Sequence, residues 1–367
     1  MFDFTQAHKH LLALGIGATL AFTMLPQGED PRVAHGRELF NKPFRPSEGV
    51  GAPAMNADSC RACHRDPAMG GAGGLELNVT RYGNDNGGLG PFTNLPGGQM
   101  LSKLYPPKIP GRDEYPDAPM PDVFEQRQTP TIFGNGLIDT ISGPVIAANE
   151  DPTDVDQDGI FGVARRLQIA GHEEIGRFGW KAQIPRLADF VRDAMFGELG
   201  LTTPHTSRAF GASTDDDDIA DPEVSADQVD DIALFMAQLP APTRKGSTDP
   251  LVATGEQVFT DIGCAKCHIP ELQGANGPVR LYSNLLLHNV MAAGYRGMSD
   301  PGAPAGFFRT SPLWGIADTA PYMHDGRAET LRAAVLAHDG EAFAVRQAFE
   351  NRPAADQEAL ILFLEDL

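Results

Sequence analysis

Aromatic residues make up only 8% of this 367-residue chain, and just two of them are Trp. With 41% of residues hydrophobic, the interior must be filled largely by aliphatic side chains or by a bound group that supplies apolar bulk. Basic residues are also scarce. Twenty-nine Lys and Arg stand against 49 Asp and Glu, a formal charge of −20. That deficit argues against nucleic acid as a partner, because phosphates must be met by Lys and Arg to release counterions. No apolar run reaches the length of a membrane span: Leu11 to Leu25, after His8, Lys9 and His10, covers fifteen uncharged residues. Residues 1–28 therefore read as a signal peptide. No Ala-x-Ala precedes Gln27 or Glu29, which leaves an uncleaved N-terminal anchor open. Either way the body is exported, and a periplasmic location is expected.

Cysteine is the scarcest informative residue, with four in the chain. They form two pairs rather than a scattered disulfide framework: Cys60-Arg61-Ala62-Cys63-His64 and Cys264-Ala265-Lys266-Cys267-His268. In Cys-x-x-Cys-His, two thiols add across the vinyl groups of a haem and the adjacent His ligates its iron. A four-cysteine zinc site and a pair of redox disulfides also use Cys-x-x-Cys, but neither needs the His. With 10 His in the chain, chance would place one there in about 3% of cases per motif, so two together favour haem. Cys60, Cys63, Cys264 and Cys267 are then thioether anchors of two covalent haems c, and His64 and His268 the proximal ligands.

What the chain has in abundance is Gly and Pro, 40 and 30 residues, which suggests long ordered loops between short elements. The elements themselves repeat. Gly36-Arg37-Glu38-Leu39-Phe40 precedes the first motif and Gly255-Glu256-Gln257-Val258-Phe259 the second, each a helical stretch. Closing helices are expected at 230–236 and 358–364. The Pro-rich segment 239–246 reads as a linker. The expected fold is mainly α: two cytochrome c-like haem domains in tandem with long ordered loops, residues 29–244 (haem 1, with insertions) and 245–367 (haem 2). A further pattern, Asp154-Val155-Asp156-Gln157-Asp158-Gly159-Ile160, places carboxylates at alternate positions before a Gly. The side chains of Asp154, Asp156 and Asp158 and the carbonyl of Ile160 could converge on calcium.

The run Thr319-Ala320-Pro321-Tyr322-Met323-His324-Asp325-Gly326-Arg327 resembles the second haem domain of bacterial di-haem cytochrome c peroxidases and MauG. Gly176-Arg177-Phe178-Gly179-Trp180-Lys181-Ala182, Leu285-Leu286-Leu287-His288 and His338-Asp339-Gly340-Glu341-Ala342 resemble more closely the di-haem oxidoreductase, or thiol-oxidoreductase-like, family of that superfamily. This likeness implies several roles. His338, at the end of Ala334-Val335-Leu336-Ala337, matches the distal-ligand position of haem 2. A second nitrogen ligand would make that haem six-coordinate and low in potential, an electron relay rather than a substrate site. Glu198, with Asp193 behind it, matches the acid that moves a proton during peroxide cleavage at haem 1. Trp180 would lie between the haems. Arg127, in Arg127-Gln128-Thr129-Pro130, would pair with a propionate, and His288 and His324 would hydrogen-bond propionates. Arg309-Thr310-Ser311-Pro312 repeats the Arg-x-x-Pro segment.

No residue stands out as a sixth ligand for haem 1. Met69, Met100, Met120, Tyr82, Tyr105, Tyr115, His172 and His205 are all chemically able, and an open position is equally allowed. The family likeness implies a peroxidase-like oxidoreductase that takes electrons from a small cytochrome or copper protein and acts on peroxide. The alternative is a non-catalytic electron carrier serving a reductase or a metal-uptake system. A protein-modifying oxidase ranks third, because His338 stands where MauG has a tyrosinate ligand.

Overall fold

The two repeated sequence units become two crossed helix pairs. The structure, a computed structural model, describes residues 28–51, 55–87, 99–101, 103, 120–204, 210–215 and 217–367. All but the last residue of the expected signal or anchor segment, together with Tyr105, Tyr115 and His205, lies outside the described residues. The helices that shape the site are α1 (Pro31–Asn41), α2 (Leu187–Ala194), α3 (Ala226–Gln238), α4 (Pro250–Asp261), α5 (Leu331–Ala337) and α6 (Ala354–Asp366). α1 packs on α3, and α4 on α6.

Both crossings are made close by glycine. A Cβ on Gly36 would sit 1.9 Å from the Asp231 carbonyl oxygen, and one on Gly255 would sit 1.9 Å from that of Ala359. Four residues further on, Phe40 meets Phe235 with ring centroids 5.4 Å apart, and Phe259 meets Phe363 at 5.3 Å. The Gly-x-x-x-Phe repeat is thus one packing unit used twice: the Gly admits the partner backbone and the Phe seals the crossing with a tilted ring pair. The helix starts are equally local in origin. Ser225 and Gln228 form a reciprocal capping box at α3, and Asp249 accepts from Leu251 N at α4, where Pro250 opens the helix.

The expected mainly helical fold is present, and it also carries small antiparallel sheets. β1 (Val79–Gly83) is flanked by β2 (Gln99–Leu101) and β3 (Val123–Arg127), with Val79 opposite Arg127. Along β3 burial alternates, so Val123, Glu125 and Arg127 point inward and Phe124 outward. β4 (Leu287–Asn289) pairs with β5 (Phe307–Arg309), which sets His288 opposite Phe308.

Pro31–Leu367 pack as one unit. The α4–α6 pair has its own core around Phe259, Phe349 and Phe363. The larger core, around Phe40, Ile184 and Ile232, also takes in Leu272, Leu281, Leu285, Leu286 and Trp314 from the second half. A bridge between Val163 and Leu287, with N–O distances of 3.0 and 2.8 Å, joins the two halves. The 239–246 segment contains no helix or strand and is tied to α6, where the Asp366 carbonyl accepts from Lys245 N at 2.7 Å.

Candidate active site

Each Cys-x-x-Cys-His closes into one helical turn: His64 N donates to the Cys60 carbonyl at 3.0 Å and His268 N to that of Cys264 at 2.9 Å. Both turns line one internal cavity of about 1700 Å³, which His338 and Trp180 also reach. Single-ligand pockets commonly run to roughly 300–1000 Å³, so this space suits two large flat groups.

The imidazoles are held alike. Nδ1 of His64 lies 3.2 Å from the Gly71 carbonyl, Nδ1 of His268 2.9 Å from that of Tyr282, and Nδ1 of His338 2.7 Å from that of Ala334. A carbonyl only accepts, so each Nδ1 carries the hydrogen and each Nε2 keeps its lone pair. Burial lowers the pKa of all three rings, that of His268 to about 4, and keeps them neutral near pH 7. A neutral ring anchored through Nδ1 with Nε2 free is the form that binds a metal.

The four cysteines carry no disulfide. Burial pushes the thiols of Cys60 and Cys264 up to about 12 and that of Cys63 to about 11, so as free groups they stay protonated. Among the described residues, the groups that converge closely enough for a metal are all carboxylates and include no cysteine. The residues present therefore fit haem better than zinc or a redox disulfide. The wall fits its acidic side groups as well, since Arg127 Nε, Arg165 Nε and Nη1, and Arg346 Nε are buried with no hydrogen-bond partner. Arg309, also in the wall, is lowered by burial to about 10. An anion at this wall would compensate that desolvation.

The two ends of the cavity differ. Near the second motif His338, which caps α5, is close enough to disfavour a charged His268 further. Near the first motif stand carboxyls. Glu198 sits on a π-helical turn, Met195–Leu199, that extends α2. Asn56 fixes it twice: its Nδ2 donates to Glu198 Oε2 at 3.0 Å, and its backbone N donates to the Glu198 carbonyl at 2.7 Å. Burial raises the Glu198 pKa, Asn56 and Arg81 oppose this, and the negative charge of Glu198 in turn raises Cys63. Asp193, one turn earlier in the same wall, is also raised by burial.

The other expected residues fall as follows. Trp180 donates Nε1–H to the Gln128 carbonyl at 2.9 Å, and its own carbonyl accepts from Arg309 N at 2.8 Å. It thus bridges the two Arg-x-x-Pro segments. Arg127 is buried in an ion pair with Glu125. His288 meets Glu341 at 2.8 Å and Asn284 at 3.0 Å, so both ring nitrogens have protein partners. His324 stacks on Phe308 at 3.9 Å and meets the Tyr295 hydroxyl at 2.9 Å. Of the sixth-ligand candidates, Tyr82 and Met100 reach the cavity wall, whereas Met120 and His172 are exposed. Met69 takes a contact from Asn41 Nδ2 at 2.9 Å.

In the acidic loop, ligand atoms of Asp154 and Asp156 come within 4.8 Å of one another and of Asp151, which the alternating pattern did not single out. Asp158 faces Lys266 instead, at 2.6 Å, and Ile160 lines the haem-sized cavity.

Residues 121–367, two thirds of the chain, match the family model described as "Di-haem oxidoreductase, putative peroxidase". The chain belongs to this family. No curated protein sequence matches the di-haem oxidoreductase. Among solved structures it is similar to the diheme peroxidase BthA from Burkholderia thailandensis E264, at 14% identity and TM-score 0.46 over 92% of this chain and 86% of that one. It is also similar to a MauG-like protein associated with microbial copper homeostasis, at 15% and 0.43 over 92% and 88%. Kuenenia stuttgartiensis hydrazine synthase follows at 14% and 0.42 over all of both chains.

Sequence reasoning missed Arg165, Asn56 and the Glu125–Tyr295 pair. Arg165 lies five residues past the acidic loop, and its burial in the cavity wall left no local signal. Asn56 and Tyr295 had none, since their partners are 142 and 170 residues away.

Proposed function

We propose that the protein is an exported di-haem c-type cytochrome with peroxidase-like activity. The second-motif end receives electrons from a small cytochrome or copper protein and passes them to the first-motif end, where peroxide is reduced. The two tandem haem domains, 29–244 and 245–367, correspond to the two helix pairs. Bound covalently through Cys60, Cys63, Cys264 and Cys267, the haems supply the electron storage and the iron chemistry.

The observation that carries this reading is the asymmetry of the cavity. His338 lines the same cavity as His268 and is close enough to influence its pKa, so the second end offers a second imidazole as a ligand to a bound iron. The first end offers His64 and, on the facing wall, Glu198 and Asp193. Glu198, made more basic by burial, can accept a proton from one peroxide oxygen and return it to the other, while Asn56 holds its Oε2. Trp180 lies between the ends and positions both Arg-x-x-Pro segments. Arg127, with its Nε free, takes a propionate, and His288 and His324 steady the surrounding wall.

Low-temperature EPR and optical spectra of the purified protein, oxidised and half-reduced, followed by peroxide, test the assignment. One low-spin, bis-His centre at the second motif and one centre that reacts with peroxide are expected. Two low-spin centres inert to peroxide would instead leave an electron carrier. The proposal includes calcium at Asp151, Asp154 and Asp156, and adding calcium to chelated protein should raise the melting temperature. Export is assigned to residues 1–28. Among the described residues no helix is long and apolar enough to cross a membrane.

A further inference from the structure

A second, outer pocket of about 400 Å³ abuts the main cavity, and the two share His324 as a wall residue. Glu125 and Tyr295 complete the inner face of this outer pocket, with Asp325 and Arg327 at its edge. The Tyr295 hydroxyl lies 2.9 Å from Glu125 Oε2 and 2.9 Å from His324 Nε2, so one hydroxyl joins a carboxylate to an imidazole. We propose that Glu125, Tyr295 and His324 form the proton-entry route from solvent to the di-haem cavity.

The placement supports this. His324 belongs to the C-terminal half in sequence, but its turn packs against the first. Its carbonyl accepts from Gln128 N at 2.7 Å, the Asp325 carbonyl accepts from Asn78 Nδ2 at 2.8 Å, and Gln128 Nε2 donates to the Gly73 carbonyl at 2.8 Å. The route therefore enters beside the first Cys-x-x-Cys-His. Its members are fixed: Phe308 stacks on the His324 ring, Glu125 is ion-paired with Arg127, and Glu125 Oε2 also accepts from Met298 N at 3.1 Å. Glu125 and His324 are 4% and 3% exposed, so Glu125 meets solvent only through the outer pocket it lines and His324 is shielded behind it.

The inference rests on the peroxidase reading, which supplies the demand: H2O2 with two electrons and two protons gives two waters. In the transfer, a proton from the outer pocket adds to the Glu125 carboxylate. The Glu125 O–H proton moves to the Tyr295 oxygen as the Tyr295 proton moves to His324 Nε2. A carboxylate, a neutral phenol and an imidazolium result, and the imidazolium releases its other ring proton to the cavity. Burial lowers His324 to about 4, with Glu125 and Asp325 favouring the charged ring and Arg127 and Arg327 opposing it, so an arriving proton is passed on rather than held. Burial, reinforced by Glu125, raises Tyr295, which stays a neutral hydroxyl.

The test uses holoprotein of Tyr295→Phe, which removes only the bridging oxygen, and of His324→Gln, which keeps polar contacts but cannot relay. Optical spectra confirm that both haems are present. Peroxide turnover should fall at least about tenfold, with a larger solvent deuterium isotope effect and partial recovery on adding small weak acids. Proton uptake on reduction without peroxide, followed with an indicator dye, should slow in parallel. Wild-type turnover, isotope effect and uptake in either folded variant would overturn the route. If wild type is inert to peroxide, the peroxidase reading fails, and the uptake rates alone decide the route.

Discussion

The two ends of the cavity begin from the same unit and diverge in what faces the motif. At both, a Gly-x-x-x-Phe helix crosses a closing helix, a Cys-x-x-Cys-His turn follows, and the His is anchored through Nδ1 to a carbonyl. At the second end the cavity wall includes α5, a short helix capped at its C-terminus by His338. At the first the cavity wall includes the π-turn after α2, which carries Glu198. The difference teaches that the repeated scaffold sets the proximal side alone. What separates the two ends is the side chain that the neighbouring helical segment brings to the cavity, an imidazole at one and a carboxyl at the other.

Replacing the distal acid tests that division most severely. Glu198→Gln keeps the shape and the Asn56 contact but removes the proton acceptor, so peroxide turnover should fall about 10²- to 10⁴-fold, roughly 3–5 kcal/mol. Spectra of the second end should not change. The pH profile adds a sign. Burial raises the Glu198 pKa, so wild-type turnover should decline as pH falls through that raised value, because the acceptor becomes protonated. In the variant this limb should vanish. Rapid-mixing kinetics at several pH values measure both.

The scaffold can be attacked separately at each end. Gly255→Val drives a side chain into the Ala359 carbonyl, and Gly36→Val drives one into that of Asp231. Each should cost about 3 kcal/mol or more, since neither backbone can yield without uncrossing the helices. The outcomes should differ, because the α4–α6 pair is backed by a core drawn from residues 252–367 alone. Loss of the second low-spin centre with the first retained is expected for Gly255→Val. Chemical denaturation monitored at each haem band would show this, and simultaneous loss of both would mean the ends do not unfold separately.

Making the distal walls alike is gentler. In His338→Met a thioether replaces Nε2, and the potential of the second centre should rise on the order of 100 mV, about 2.3 kcal/mol per electron. Redox titration of the variant reads this directly. An unchanged potential would place the distal ligand elsewhere.

Much of the scaffold was legible in the sequence because it is local or repeated. The cysteine pairs, the paired Gly-x-x-x-Phe units and the closing helices all declare themselves within a few residues. The distal walls were legible only through family resemblance: nothing in the spacing of Glu198 says that a π-turn and Asn56 aim it. The acidic loop shows the limit most plainly. Alternation pointed to Asp154, Asp156 and Asp158, but a distant Lys266 captures Asp158, and Asp151 joins the other two. Pairings across more than 100 residues, such as Lys266 with Asp158 or Tyr295 with Glu125, belong to the tertiary fold and leave no local pattern.

Trp180 offers the smallest and most discriminating change, because it touches both ends through backbone contacts. Its Nε1–H satisfies the Gln128 carbonyl, next to Arg127, and its carbonyl takes Arg309 N. Trp180→Phe keeps a ring and the second contact and loses only the first. The cost should be about 1 kcal/mol, the usual size for one part-buried hydrogen bond. If Trp180 only positions the two Arg-x-x-Pro segments, electron transfer between the centres after flash reduction should keep its wild-type rate. If the indole ring itself carries the coupling between the ends, that rate should drop while stability changes no more than this. Measuring both on one variant separates a packing role from an electronic one.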